Sequence, residues 1–197
     1  MHSKQTKLFT PKDIDEKVLI YNIRIVPPKP LFDQVISIKE EFVEHFGEHL
    51  LSNSDPFITV AKFKMSALHH NYLMDTFKNH LSELSPFHLM ADGIGKFENG
   101  STLCVNIRES KKFEALLKQI GGLKRALLFH KAKNFSLNHR PIIPISSFLD
   151  KNLLDSSFNH FKNKIVFQTI FEVDHLLITS RENGKTWDWE HRIDLKK

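Results

Sequence analysis

Two hydrophobic periodicities alternate along this sequence and predict an order of strands and helices. Apolar residues at every second position indicate strands, and apolar residues three or four positions apart indicate amphipathic helices. Strand patterns cover 18–26, 57–63, 87–94, 102–107, 135–145, 165–173, 176–179 and 187–193. Helical patterns cover 31–46, 73–84, 110–120, a second piece ending at 129, and 149–161. A strand and helix order that repeats in this way predicts an α+β fold of two similar lobes.

Breaking and capping residues support these boundaries. A proline cluster at 27–30 stops the first strand, and Gly47 is a natural end for the helix that follows. Ser110 is a candidate cap for the third helix, which Gly121-Gly122 are expected to break. The Asn183-Gly184 pair predicts a hairpin between the last two strands.

Length and composition are those of an ordinary globular protein, with 41% hydrophobic and 26% charged residues. We therefore expect a single bilobal domain over 17–197, preceded by a flexible polar tail over 1–16. No apolar run reaches the roughly 20 residues of a membrane span, and Met1–Lys17 lacks the apolar stretch of a signal peptide. The single Cys104 excludes an internal disulfide and a cysteine-rich metal site. These features predict a cytoplasmic protein with no membrane partner.

Positive charge is concentrated in one segment of the chain. The net charge is +5, yet no acidic residue occurs between Glu114 and Asp150. The cationic residues of this segment are Lys118, Lys124, Arg125, Lys131, Lys133 and Arg140. Such a block is typical either of a nucleic-acid footprint or of a solvated surface that keeps the protein soluble.

The strand pattern at 55–63 is the part around which the rest of the chain is organised. Phe57 and Thr59 alternate there with the β-branched residues Ile58 and Val60, and this alternation predicts an inner strand. The run from Pro56 to Val60 resembles the first signature of the 2H phosphoesterase family, which includes 2′-5′ RNA ligases and cyclic phosphodiesterases. That signature reads Pro-His-hydrophobic-Thr-hydrophobic. Phe57 therefore fills the position of the catalytic histidine, while Thr59 is kept.

The resemblance covers nearly the whole chain after about Val18 and implies its architecture. Bacterial members of the family also begin with a strand, a proline-rich break and an amphipathic helix. Many of them end in a hairpin near a tryptophan, as this chain does at Trp187. The resemblance implies two lobes, with antiparallel sheets and flanking helices around a central groove. Each lobe is expected to lend one motif strand to that groove.

By position, the second motif falls in 138–146. In the register that keeps His139, Pro141 takes the place of the catalytic histidine and Ile143 that of the threonine. Opening a 2′,3′-cyclic phosphate needs a base on one side of phosphorus and an acid on the other, and imidazole suits both roles. Each missing acid or base typically costs about two to four orders of magnitude in rate. We therefore expect a groove without useful turnover by that mechanism.

Polar side chains near the two motifs are candidates for binding phosphate in the groove. They are Thr59, Lys62, Lys131, Lys133, His139 and Arg140. The cations would neutralise phosphate, Thr59 and His139 would donate hydrogen bonds, and Phe135 would stack on a base. An ordinary β-branched strand residue is an equal interpretation of Thr59. The leading hypothesis is a catalytically degenerate family member that binds RNA or a nucleotide-like phosphate, without a cofactor.

Two other functions remain open. One is an active phosphodiesterase or RNA-ligase-like enzyme with a rearranged centre, in which His139 and either His69 or His88 replace the lost pair. The other is a protein-interaction scaffold, in which Phe57 and Ile143 fill the old groove with side chains.

The histidines near the end of the first helix have a spacing that is compatible with a metal site. His45 and His49 lie four residues apart and are flanked by Glu44 and Glu48. A solvated helix face accounts for the same residues, and we expect no metal at these four positions.

Overall fold

The structure is a computed structural model that describes residues 17–81, 83–97, 101–108, 111–165, 168–185, 187 and 189–196. Its strands are β1 (Val18–Ile25), β2 (Ile58–Ser66), β3 (Phe87–Phe97), β4 (Thr102–Arg108), β5 (Lys133–Leu137), β6 (Ile142–Ser146), β7 (Gln168–Val173), β8 (His175–Glu182) and β9 (Trp189–Asp194). Its helices are α1 (Leu31–Phe46), α2 (His70–Leu81), α3 (Lys111–Gly122), α4 (Lys124–Phe129) and α5 (Lys151–Phe161). The predicted tail at 1–16 and the predicted cap Ser110 lie outside the described residues.

The strands form two antiparallel sheets. The five-stranded sheet has the order β5-β2-β1-β8-β9, and the four-stranded sheet has the order β6-β4-β3-β7. Each sheet takes strands from both halves of the chain, so the lobes are interleaved in sequence. The predicted motif strand β2 lies inside the first sheet, and β6 lies at an edge of the second. The α+β prediction, with antiparallel sheets and flanking helices, is confirmed.

Helices α1 and α5 pack against the four-stranded sheet. Helix α1 buries a stripe with helical spacing, made of Leu31, Val35, Ile38 and Phe42. It ends where Gly47, with a φ of 82°, donates its N–H to the carbonyl of Val43. On the other sheet, Phe77 of α2 stacks on Phe63 of β2, with the ring centroids 6.1 Å apart. The amphipathic helices are therefore core elements, as their apolar stripes predict.

One predicted strand is wrong. The extended stretch 135–145 is two strands, β5 and β6, which belong to different sheets. Gly121 and Gly122 are the last two residues of α3, and the predicted break before the next helix comes directly after them, at Leu123. The predicted hairpin is confirmed, since β8 and β9 pair and Gly184 has a φ of 77° between them. Among the described helices, none has the length and apolar character needed to cross a membrane.

Candidate ligand-binding groove

A cavity of about 560 Å³ lies between the two sheets. The five-stranded sheet and the residues beside it contribute a polar wall, which includes Asn22, Thr59, Lys62, Ser136, Asn138 and Arg181. The opposite wall is mostly apolar and includes Phe97, Ile142, Pro144 and Phe148. Phe57 and Trp187 add aromatic rings to the lining. The groove therefore presents hydrogen-bonding and cationic groups on one side and apolar surface on the other.

A row of directly paired polar residues crosses the five-stranded sheet at the groove. Ser136 of β5 lies opposite Lys62 of β2, which lies opposite Asn22 of β1. Asn22 in turn lies opposite Thr179 of β8, and Thr179 lies opposite Glu190 of β9. Directly paired residues project from the same face of a sheet. Strand register therefore gathers side chains from all five strands of this sheet.

A β-bulge sets which residues of β2 face the groove. The register with β1 shifts at Val60, which is the extra residue. One extra residue moves the alternation of side chains by one position. Thr59 and Lys62 therefore share the groove face, although a regular strand would point them to opposite faces. Asn138 holds the bulge, because its N–H donates to Val60 O and its Nδ2 donates to Thr59 O, both at 2.9 Å.

Three cationic side chains, Arg24, Lys62 and Arg181, lie close together at the polar wall. Partial desolvation between the groove walls lowers the pKa of Lys62, and the positive charges of Arg181 and Arg24 lower it further. The Lys62 side chain nevertheless remains exposed to the water in the groove. The Lys62 ammonium is therefore accessible to an anion in the groove, and the two neighbouring guanidinium groups disfavour its positive charge when no anion is bound.

Arg24 is held rigidly beneath the groove. Its Nε donates to Thr179 Oγ1 at 3.1 Å, and Thr179 donates to the Asn22 carbonyl at 3.3 Å. Burial lowers the pKa of Arg24, while the carboxylates of Glu190 and Asp55 act in the opposite direction. Those carboxylates line a neighbouring cavity of about 840 Å³ that also contacts Arg24. The cationic site thus borders a region of mixed charge.

The apolar wall shows which residues of the second motif stretch face the groove. The prediction placed Pro141 and Ile143 at the motif positions. Ile143 is fully buried, with 0% of its surface exposed, and it is Ile142 and Pro144 that line the groove. A slip of one residue along a strand exchanges its two faces. Neither Ile142 nor Pro144 carries a group that transfers a proton or donates a side-chain hydrogen bond.

The structure brings only some of the predicted phosphate ligands to the groove. Thr59 and Lys62 line it. Lys133 is exposed on β5, and Lys131 lies in the preceding turn with a φ of 59°. His139 lines a separate cavity with Glu114, Lys118 and others. Arg140 lies at the edge, with its Cζ 5.0 Å from the ring centroid of Phe97, which does line the groove.

The remaining nucleophile and proton-transfer candidates lie elsewhere. The ring of His69 contacts that of His130, with centroids 4.9 Å apart, and His88 is exposed on β3. Cys104 is buried, and burial raises the pKa of its thiol to about 12, so the thiol is neutral. Within the described part of the chain, the residues that line the groove include no histidine and no carboxylate.

Comparison with known proteins identifies the family. A family model for the 2′-5′ RNA ligase superfamily matches residues 27–185, most of the chain. This chain belongs to the 2′-5′ RNA ligase superfamily. None of the curated proteins matches its sequence significantly.

Solved structures show the superfamily fold. Apo LigT of Escherichia coli matches with a TM-score of 0.60 and 14% identity, over 92% of this chain and 100% of LigT. TT0787 of Thermus thermophilus matches with a TM-score of 0.64 and 13% identity, over 91% and 98% of the two chains. LigT complexed with 3′-AMP matches with a TM-score of 0.56 and 14% identity, over 91% and 95%. The predicted two-lobed fold of the 2H family is thus confirmed.

Several groove residues of this superfamily member were not found from its sequence, namely Asn22, Arg24, Arg181 and Trp187. A signal was present for two of them. Asn22 and Arg24 are polar residues at alternate positions inside the otherwise apolar strand β1. Because a buried polar group must find a partner, two such residues on one strand face indicate a functional face rather than a packed one.

Proposed function

We propose that this member of the 2′-5′ RNA ligase superfamily has lost phosphodiesterase and ligase chemistry and binds the phosphate of RNA or of a nucleotide in its groove. One observation carries the proposal. Lys62 and Arg181 line one wall of an open cavity with Arg24 beside them, and Phe57 and Ile142, which we assign to the two histidine positions of the family, line the same cavity.

The polar wall has the groups that a phosphate requires. The Lys62 ammonium is exposed to the groove, and an anion there would offset the desolvation and the repulsion that together lower its pKa. Arg181 has a planar guanidinium suited to two phosphate oxygens. The hydroxyls of Thr59 and Ser136 lie on the same wall and supply neutral donors.

The rest of the lining suits the remainder of a nucleotide. Phe97, Phe148 and Trp187 present rings, and a base that stacks on an aromatic side chain gains about 1–3 kcal/mol without sequence preference. LigT has been solved in complexes with 3′-AMP and with phosphate, which supports a nucleotide phosphate as the ligand of this fold. We place the role in the cytoplasm, where a lone thiol such as Cys104 stays reduced.

The two alternative functions are less well supported. A filled scaffold requires side chains to close the groove, whereas about 560 Å³ remain open and Ile143 lies in the core. A rearranged enzyme requires imidazoles across the groove, whereas His139 lines another cavity and His88 is exposed.

The test is the affinity for a short fluorescent RNA with a 3′-phosphate, measured by anisotropy for Lys62→Gln, Arg181→Gln and a control, Lys133→Gln. The control removes the same charge from an exposed site on the same sheet. We expect each groove variant to bind about 10- to 100-fold more weakly, since a charge-assisted hydrogen bond contributes about 1.5–3 kcal/mol. Each groove variant should also flatten the dependence of log affinity on log salt by about 0.7 per lost phosphate contact.

Equal weakening in all three variants would show that the positive charge acts non-specifically and would overturn the proposed site. A second arm incubates the protein with an RNA that ends in a 2′,3′-cyclic phosphate. We expect no conversion to the monophosphate. If the wild-type protein converts this RNA and the Lys62→Gln variant does not, the proposed loss of catalysis is overturned.

A further inference from the structure

A second cluster of chemically capable side chains lies away from the groove, between helices α1 and α5. It consists of Glu41 and His45 on α1 and His160 on α5. Each offers one ligand atom, and these atoms lie within 4.8 Å of one another. From the sequence, His45 was considered only with His49 and the neighbouring acids, and no metal was expected there. The fold pairs His45 with a histidine more than a hundred residues away.

We propose that Glu41, His45 and His160 form a binding site for a divalent transition-metal ion, with zinc as the best fit. Two imidazoles and one carboxylate are a donor set that Zn²⁺ accepts, with a water as the fourth ligand. The borderline-soft nitrogen ligands favour zinc over magnesium or calcium, which prefer oxygen ligands throughout.

Hydrogen bonds and packing prepare the histidines for this role. His45 Nδ1 donates to the Glu41 carbonyl at 3.0 Å, which leaves the lone pair of its Nε2 for a metal. The His45 and His160 rings contact each other with centroids 4.8 Å apart. Phe46 and Phe161 pack edge-on against the His160 ring and fix its orientation.

Two side chains already contact the Glu41 carboxylate. Lys164 Nζ hydrogen-bonds to Glu41 Oε1, and His160 Nε2 lies 2.7 Å from the same oxygen. Metal binding would replace both contacts, since the ion would take the carboxylate oxygen and the His160 nitrogen. Lys164 is therefore a competitor for the metal rather than a ligand.

The site would link two helices that are distant in sequence. Helices α1 and α5 contact each other and both cover the four-stranded sheet. A metal bound to both binds the folded state in preference to the unfolded chain, and it therefore stabilises the fold by mass action. The role we propose is structural and does not depend on the ligand of the groove.

The test is Zn²⁺ titration of the full chain by calorimetry, with Co²⁺ absorption as a report of nitrogen and oxygen coordination. The variants are His160→Gln, His45→Gln, Lys164→Gln and a control, His88→Gln, which removes an exposed histidine outside the cluster. We expect one site per chain in the wild-type protein. The two ligand variants should lose more affinity than the roughly 10- to 100-fold that removal of an outer-shell partner costs.

The Lys164→Gln variant separates a metal site from an ion-pair cluster. We expect it to bind Zn²⁺ more tightly than the wild-type protein, because the competing ammonium is gone. His45 is exposed, so His45→Gln keeps the test valid even if His160→Gln does not fold. Absence of binding, or binding that is equal in the wild-type protein and His45→Gln, would overturn the proposal. Weaker binding in Lys164→Gln would overturn it as well.

Discussion

Arg24 and Arg181 hold their guanidinium groups against the same ring, that of Trp187. The Cζ atoms lie 5.1 Å and 4.7 Å from the ring centroid. Two like charges tolerate this proximity because the face of an indole ring carries negative charge density that attracts cations. Trp187 therefore orders the two cations, and its ring also lines the groove.

Loss of this ring should weaken nucleotide binding more than it weakens the fold. We expect Trp187→Ala to lower the affinity for the 3′-phosphorylated RNA by about 5- to 100-fold, because base stacking alone contributes about 1–3 kcal/mol. Anisotropy measures the affinity, and urea unfolding measures the stability. Phe129→Ala is the matched control, since Phe129 is an aromatic residue that is 83% exposed and outside the groove. Equal affinities for the two variants would contradict a stacking role for Trp187.

A buried lysine behind the groove should make stability depend on pH. Lys39 is 2% exposed, and its Nζ donates to Leu51 O and to Ser54 Oγ, at 3.3 Å for the latter. Burial lowers its pKa to about 8. The unfolded chain, with a lysine pKa of about 10.4, binds more protons between these values, so Lys39 adds stability as pH rises from about 8 to about 10.

The comparison that isolates this effect is wild type against Lys39→Met across pH 7–10. The free energy of unfolding should shift in favour of the wild-type protein by on the order of 3 kcal/mol over that interval, at about 1.36 kcal/mol per unit of pKa difference. Other titrating groups cancel in the difference between the two proteins. A difference that stays constant with pH, measured by urea unfolding at each pH, would rule out a depressed pKa at Lys39.

Sequence periodicity was sufficient for most of the elements and for the first motif strand, although it merged β5 and β6 into one stretch. Strand β2 has aromatic and β-branched residues in alternation, and α1 has an uninterrupted apolar stripe. The groove-facing residues of the second motif stretch were predicted one position off for a physical reason. Ile142, Ile143, Pro144 and Ile145 are all apolar, and a strand without polar alternation carries no information about which face is which.

The candidate site itself depended on relationships that one strand cannot reveal. Lys62 faces the groove because of the bulge at Val60. No glycine marks that bulge in the sequence. Asn22 and Arg181 reach it because β1 pairs with β8, far along the chain. The acid-free segment, in contrast, is contiguous in sequence but spread over two helices and two strands. Its charges therefore do not converge as Lys62, Arg24 and Arg181 do.

A close approach beside the apolar wall gives a prediction about packing. A Cβ added at Gly95 would lie 2.6 Å from Asn106 Cγ, although the backbone there has no positive φ that demands glycine. We expect Gly95→Ala to destabilise the protein by about 1–3 kcal/mol through overpacking. Addition of Asn106→Ala should recover most of that loss, so the two substitutions should be strongly non-additive in urea unfolding. Additive effects would mean that something other than Asn106 resists the methyl group.

The corrected register also makes a prediction about lost chemistry. If Phe57 and Ile142 occupy the two histidine positions of the superfamily, then Phe57→His with Ile142→His should place an acid and a base across the groove. Pro144→Thr would add the second threonine hydroxyl beside the retained Thr59. Because each proton-transfer group contributes about 10²- to 10⁴-fold, we expect this triple variant to convert a 2′,3′-cyclic phosphate RNA measurably above the parent protein.

The control for this restoration moves one histidine by a single residue. Phe57→His and Pro144→Thr combined with Ile143→His keep the composition but direct the imidazole into the core, where Ile143 has no exposed surface. We expect this variant to be inactive and less stable, because a buried imidazole without a partner is costly. Product release is followed by chromatography of the RNA, and stability by urea unfolding. Turnover in the Ile143→His variant but not in the Ile142→His variant would contradict the assignment of Ile142 to the second histidine position.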